Sequence, residues 1–397
     1  MNPDLLVLGA GPAGISISYL MAQKGFSVEI LDPASFPRTK ICGEFLNPQA
    51  TEWLQSHGLL PDLLQLQPFP IFGMKISDRE GKSFTGRYSP RGQQKNGYAI
   101  ERKKFDAFLV ANARKKGIQI QEGHCAKQLL FDGDRAVGVT GTDPEGKPFE
   151  KRAKLLIGAD GRNNLIGRTF GWIRGIRNLR KYAFVSYFEN VPELDHYGEV
   201  HLVRDGYVGI APINPTLANV ALVIDEKSCP RADSNYEQFL LARINESPLA
   251  RRFNGCNPIA PVISAGPLAF KMKQTSGYGT LLVGDTCGFI DPFTGEGINY
   301  AFLSADLAAD ILAEALKSGR VSHLKRYESE RRKVFPKKFR MAKLLQKAVQ
   351  RPALSSFLVK RFARKWYLGD TIVGAVGSAV PVEQVWNLKF LMKVIFS

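Results

Sequence analysis

The chain begins with Leu5-Leu6-Val7-Leu8, four apolar residues in a row after Asp4. A run that is apolar on both faces predicts a strand buried inside a parallel sheet. Ile15 to Lys24 carries helical character until Gly25 stops it, and Ser27-Val28-Glu29-Ile30-Leu31 predicts a second strand ending at Asp32. Two more strands of this kind are predicted at Lys154–Gly158 and Gly279–Val283, and a long helix from Asn299 to Leu316. Between Asp160 and Gly284 the pattern shortens. Ala183–Phe188, Gly198–Val203, Tyr207–Ala211 and Ala218–Ile224 are β-branched or aromatic runs bounded by turn residues, which predicts antiparallel strands. Ile71–Ile76 and Ser83–Tyr88, split by Asp78-Arg79-Glu80-Gly81, predict a hairpin able to join the same sheet. Near the end, Leu344, Leu345, Ala348 and Val349 recur at helical spacing, with a break at Pro352 and a resumption through Phe357-Leu358 to Phe362.

The turn after the first strand brings in chemistry. Gly9-Ala10-Gly11-Pro12-Ala13-Gly14 sits between strand and helix, and Asp32 closes the second strand, which completes a βαβ dinucleotide fingerprint. Gly9, Gly11 and Gly14 permit the tight turn, the close approach of a pyrophosphate and the packing of helix on strand. The helix N-terminus offers N–H groups and positive dipole to the phosphates. Asp32 is placed to accept from an adenosine ribose hydroxyl, which favours FAD or NAD over a 2′-phosphorylated nucleotide.

Two further segments choose between these. Lys154 to Asn164 runs from a strand into Gly158-Ala159-Asp160-Gly161, and Gly279 to Thr286 ends on Gly284-Asp285 ahead of Asp291-Pro292-Phe293-Thr294-Gly295-Glu296-Gly297-Ile298. Together with the fingerprint, and in that order, they resemble the flavoprotein superfamily of aromatic hydroxylases, flavin-dependent halogenases and geranylgeranyl reductases. The resemblance covers roughly residues 4–330. It implies that Gly284 and Asp285 contact the ribityl and pyrophosphate of FAD and that Asp160 supports the nucleotide side. Tyr98 to Asp106 resembles the segment whose arginine, here Arg102, reaches FAD. Pro37-Arg38-Thr39-Lys40-Ile41-Cys42-Gly43-Glu44 is close to the loop of the geranylgeranyl-reductase-like branch, which lies beside the isoalloxazine and would place Cys42 and Gly43 there. Gly295, Gly297 and Ile298, at a helix start, would stabilise the negative charge of reduced flavin through backbone N–H groups.

The expected fold class is α/β, α+β overall. A Rossmann-like FAD-binding domain from residues 1–70, 97–175 and 265–330 is interleaved with an antiparallel substrate sheet from 71–96 and 176–264, and a helical segment spans 331–397. The expected function is an FAD-dependent monooxygenase or double-bond reductase acting on a hydrophobic or aromatic small molecule, with electrons from NAD(P)H. The alternative is a non-catalytic or electron-transfer flavoprotein. No second glycine fingerprint serves the nicotinamide. A tryptophan-type halogenase would show a GWxWxIP segment, whereas Trp172 and Trp366 stand alone. The reductases' aromatic motif reads here Tyr207-Val208-Gly209-Ile210-Ala211-Pro212, with Gly209 and Ala211 in place of two aromatics. Cys42 is a reactive thiol or a packing residue, and no acid–base residue stands out.

Composition narrows the setting. The 397 residues carry 54 Lys+Arg against 37 Asp+Glu, a net charge of +17, so an acidic solvating chain is excluded. Five scattered cysteines without a CxxC pair, and histidines without ligand spacing, argue against a disulfide framework or a metal site and for the reducing cytoplasm. No secretory signal or spanning segment is expected. From Arg331 to Gly369 there are thirteen basic residues and no acidic one. Such a basic amphipathic stretch is either a solvated helical face or a peripheral contact with anionic membrane. No nucleic-acid signature accompanies it.

Overall fold

The computed structural model describes residues 2–89, 95–176, 179–231 and 234–396. Parts of the expected 71–96 and 176–264 segments, and both terminal residues, therefore lie outside the described residues.

Leu5–Leu8 sits inside a six-stranded sheet, flanked by Val28–Asp32 and Leu155–Gly158. Gln119–Glu122 and Thr280–Leu282 extend it on either side, all parallel, and Ser276–Gly277 folds back antiparallel on the outer edge. Every residue of Leu5–Leu8 is buried, as its unbroken apolar run requires. The Pro12–Gln23 helix packs along the Gly297–Ser318 helix and against Arg102–Lys115. Both predicted helices start earlier than the apolar pattern indicated, because Pro12 and Gly297 occupy first-turn positions that need no apolar side chain.

The second sheet has seven strands in the order Ile263–Ala265, Lys181–Glu189, Leu217–Asp225, Gly206–Pro212, Tyr197–Val203, Gly73–Ser77 and Ser83–Arg87. All neighbours are antiparallel except Tyr197–Val203 with Gly73–Ser77. The hairpin of residues 73–87 thus joins the sheet as expected. Alternation splits its residues cleanly. Phe184, Leu222 and Ile224 face the Tyr236–Asn245 helix with Leu240 and Ile244, while Ala183, Val185 and Val223 face the other way, toward the cavity described below.

A further sheet was not foreseen. Cys125–Asp132, Arg135–Thr142 and Pro148–Arg152 form a separate three-stranded meander. The tail is helical, in the pieces Lys325–Val349, Pro352–Arg364, Trp366–Val376 and Leu388–Phe396. Phe362, Leu368 and Val373 pack on Phe84 and Tyr88 at the edge of the seven-stranded sheet. The approach is close: a Cβ on Gly86 would lie 2.5 Å from the Gly369 carbonyl oxygen. The tail is thus built into the sheet's edge, and its basic residues are not uniformly solvated. Arg331 is buried, its guanidinium 4.2 Å from the Phe335 ring centre.

Candidate functional site

The two sheets enclose one large cavity, about 850 Å³, at the upper end of what small-molecule sites occupy. The glycine turn forms its first wall. Gly9 has φ +105°, and a Cβ there would lie 2.6 Å from the Ala159 carbonyl oxygen. A Cβ on Gly14 would lie 1.8 Å from the Gly9 carbonyl oxygen, so this glycine lets the helix meet the strand. Gly11 differs. It faces the cavity with only Arg38 Nη2, 3.7 Å away, near a would-be Cβ. Pro12 and Ala13 line the cavity beside it, whereas Ala10 lies behind the wall and donates its N–H to Asp32 Oδ2 at 2.7 Å. Asp32 Oδ1 accepts from Ala34 N–H at 2.9 Å, which fixes the carboxylate at the cavity rim.

The opposite wall comes from the two Gly/Asp turns. Asp160 lines the cavity. Its Oδ2 accepts from Leu165 N–H at 2.8 Å, its Oδ1 is buried without a partner, and burial pushes its carboxyl up to about 6. Asp285 also lines it, and burial raises its pKa against the opposing pull of Lys40, Arg102 and Arg162. Gly284 stands behind: at φ +64°, its would-be Cβ lies 2.5 Å from Ala13 Cβ, which locks this turn to the first helix. Gly295, Gly297 and Ile298 complete this side.

Arg102 points into the same space but is already engaged. Its Nε and Nη2 fork onto Asp106 at 2.8 Å each, and its charge lies beside the Cys42 thiol. Every residue expected at the cofactor thus comes to one cavity. Ala10, Gly14 and Gly284 shape it from behind, and the others line it.

Residue patterns alone gave no roles to several neighbours. Arg38, Lys40 and Arg162 add positive charge along the wall, and burial with Arg38 and Arg102 nearby lowers the pKa of Lys40. Asp291 is buried and held by Tyr207 Oη at 2.7 Å, Lys181 Nζ at 3.3 Å and Gln346 Nε2 from the tail. Glu296 is held by Lys338 Nζ at 2.8 Å and by the hydroxyls of Tyr300 and Ser378. Glu44, buried, accepts on Oε1 from Tyr187 Oη–H and, at 3.1 Å, from Arg102 N–H. Of these, Arg38, Lys40 and Glu44 were at least visible as parts of the 37–44 motif.

A flavin dinucleotide fits this cavity. Gly11, Gly43 and Gly297 leave a bare cradle, with nothing within 4 Å of a would-be Cβ at the latter two. Asp160 Oδ1 awaits a donor, as a sugar hydroxyl would supply. The Pro12–Gln23 and Gly297–Ser318 helices both begin at the cavity without a side-chain cap, leaving N–H groups for phosphate and ring oxygens.

These features define an FAD-dependent oxidoreductase. The chain belongs to the FAD binding domain family, which it matches over residues 3–342. It is similar to digeranylgeranylglycerophospholipid reductase 2 of Methanopyrus kandleri, 27% identical over 353 residues that cover 86% of this chain and 85% of the relative. Reductase 1 of the same organism is 28% identical, covering 86% and 89%. Among solved structures, a flavoprotein/dehydrogenase from Cytophaga hutchinsonii superimposes with a TM-score of 0.83 at 20% identity, covering 99% of this chain and 95% of that one. A geranylgeranyl bacteriochlorophyll reductase-like protein from Thermoplasma acidophilum gives 0.78 at 21%, covering 99% and 96%. These structures share the fold.

Proposed function

We propose that this protein reduces carbon–carbon double bonds in an isoprenoid lipid, using FAD and electrons from NAD(P)H. The observation that carries this reading is the wall beyond the flavin loop. There the seven-stranded sheet presents Ala183, Val185, Val200, Ala211, Ala221 and Val223 to the cavity, a largely apolar set of small side chains beside the polar Asn219 and Tyr207. Gly209 widens it, with no atom nearer than 3.8 Å to a would-be Cβ. A long prenyl chain can lie along such a face, and the relatives named as reductases of digeranylgeranylglycerophospholipids support that substrate class. FAD, when bound, supplies the two-electron redox chemistry. Gly11, Asp32, Asp160 and Asp285 would hold its nucleotide and chain, and Cys42, Gly43, Gly295, Gly297 and Ile298 would border its ring. On this reading residues 1–70, 97–175 and 265–330 serve the cofactor, and 71–96 and 176–264 serve the substrate. The C-terminal helices bring the cavity to an anionic membrane, where such a lipid resides.

Incubating the FAD-loaded protein with digeranylgeranylglycerophospholipid and NADPH without oxygen tests this. Mass spectrometry is expected to show products gaining two hydrogens per double bond. Product formed only in oxygen, carrying label from isotopic oxygen, would instead establish a monooxygenase.

A further inference from the structure

Glu44 is the buried acid that no other part of the site explains. It follows Cys42 and Gly43 in the loop, has φ +55°, and lines the cavity. A non-glycine residue in the left-handed region is held there by its surroundings. Two anchors hold it: its carbonyl accepts from Ile100 N–H at 3.0 Å, and its carboxyl accepts from Arg102 N–H.

The two carboxyl oxygens are unlike. Oε1 accepts two hydrogen bonds, from the Tyr187 hydroxyl and the Arg102 backbone, so it behaves as the carbonyl oxygen of a neutral acid. Oε2 is buried and has no partner. A proton on the carboxyl therefore belongs on Oε2, the carboxyl oxygen that no hydrogen bond engages, on a residue that lines the cavity. The titratable and charged groups around it are Tyr187 from the Lys181–Glu189 strand, Glu101 and Arg102 at the start of the next helix, and Cys42 in its own loop. Burial is the largest influence and carries the carboxyl up to about 7, Glu101 adds to this, and Tyr187 and Arg102 oppose it. An acid in that range holds its proton and can still release it near neutral pH.

We propose that Glu44 is the proton donor of this site and that Tyr187 is its positioning residue. This rests on the reductase reading above. The Glu44 Oε2–H bond breaks as a C–H bond forms at one carbon of the substrate double bond. The second hydrogen, with its electron pair, would come from the reduced FAD that the site is built to hold, so that the substrate gains two electrons and the cofactor loses two. The carboxylate left behind keeps the Tyr187 Oη–H and Arg102 N–H hydrogen bonds and is reprotonated from water. The competing role is structural, with Glu44 as an ionised cap on the Arg102–Lys115 helix.

Two measurements on the FAD-loaded protein test the proposal. Infrared difference spectra of wild type against Glu44→Gln, without substrate, are expected to show a protonated carboxyl band that disappears as pH rises through about 7. With FAD reduced by dithionite and digeranylgeranylglycerophospholipid as probe, Glu44→Gln is expected to lose roughly a hundredfold or more in rate while retaining its flavin spectrum. Tyr187→Phe removes a bond that favours the charged form, so the alkaline limb of its pH–rate profile is expected to move to higher pH. Glu44 found ionised across the neutral range, or Glu44→Gln turning over at the wild-type rate, would overturn the proposal. If wild type shows the titrating carboxyl but does not reduce the probe, the proton assignment is supported and isoprenoid reduction is what fails.

Discussion

At the scale of residues, the glycine fingerprint was legible because its reasons are local, and the structure separates its members by what surrounds them. Gly11 is extended and bare toward the cavity, so Gly11→Val is expected to fold normally yet retain FAD roughly tenfold or more less tightly, about 1.4 kcal/mol, as measured by flavin release on dilution. Gly14→Ala meets the Gly9 carbonyl oxygen and is expected to lower the melting temperature of the protein itself. Glu44 could not be assigned a role from sequence, since its burial and its hydrogen bond come from Tyr187 in a strand 143 positions away. Its pKa sets one arm of stability against pH. The folded value near 7 lies above the ordinary 4.5, so its contribution is complete below 4.5 and is lost as pH rises through 7. Between about pH 6 and pH 8 the wild type is expected to lose roughly 1 kcal/mol in urea unfolding from this group, a loss that Glu44→Gln abolishes. Glu199 behaves oppositely. Hydrogen bonds from His201 and Arg252 hold its carboxyl, against burial, down to about 2, so its contribution is complete above 4.5 and fades as pH falls toward 2. Arg252→Ala leaves that carboxylate buried with His201 alone and is expected to cost about 3–5 kcal/mol by the same measurement.

At the scale of elements, sequence patterning was reliable where one face or both faces of an element are buried, and silent elsewhere. The buried inner strands of the two large sheets showed themselves through apolar runs, whereas Gln119–Glu122, Ile263–Ala265 and Ser276–Gly277 at their edges did not. The Cys125–Asp132 strand did not, because only Leu129 among its residues is buried. The most consequential contact was also invisible. The Lys325–Val349 helix reaches back to the cavity loop of residues 291–298, where Gln346 bonds Asp291 and Lys338 bonds Glu296. Two residues about two helical turns apart thereby hold both acids of the loop that contains Gly295. Lys338→Met leaves Glu296 buried with only hydroxyl partners, a loss worth about 1–3 kcal/mol. FAD retention is expected to fall several-fold in this variant while far-ultraviolet circular dichroism stays unchanged. Unaltered retention would show that the loop holds its shape without the tail.

At the scale of the whole molecule, the charge excess and the break at Pro352 were legible, but which basic residues remain outside was not, because that depends on how the tail meets the sheet. Arg331 and Lys338 are drawn inward, whereas Lys343, Lys347, Arg351, Lys360 and Arg364 are exposed. Beyond them lies an apolar surface that the basic count does not reveal: Leu354, Phe357, Trp366, Leu388, Ile395 and Phe396 are exposed, Leu388 and Phe396 by 74% and 73%. Among the described residues no helix is long and apolar enough to cross a membrane. Exposed bulky side chains beside lysine and arginine fit an interfacial surface, with the apolar groups entering the headgroup region and the cations meeting anionic lipid. Each Lys or Arg near the bilayer adds roughly 1 kcal/mol, decaying over about 8 Å at physiological salt, so a few suffice. The two contributions separate by experiment. Cosedimentation with anionic vesicles is expected to exceed that with neutral ones and to weaken as salt rises. Lys343→Glu with Lys347→Glu is expected to remove most of the salt-dependent part, and Ile395→Ser with Phe396→Ser the part that persists in high salt. Equal, weak binding of the unaltered protein to both kinds of vesicle would rule out membrane docking and leave these helices as a cap on the seven-stranded sheet.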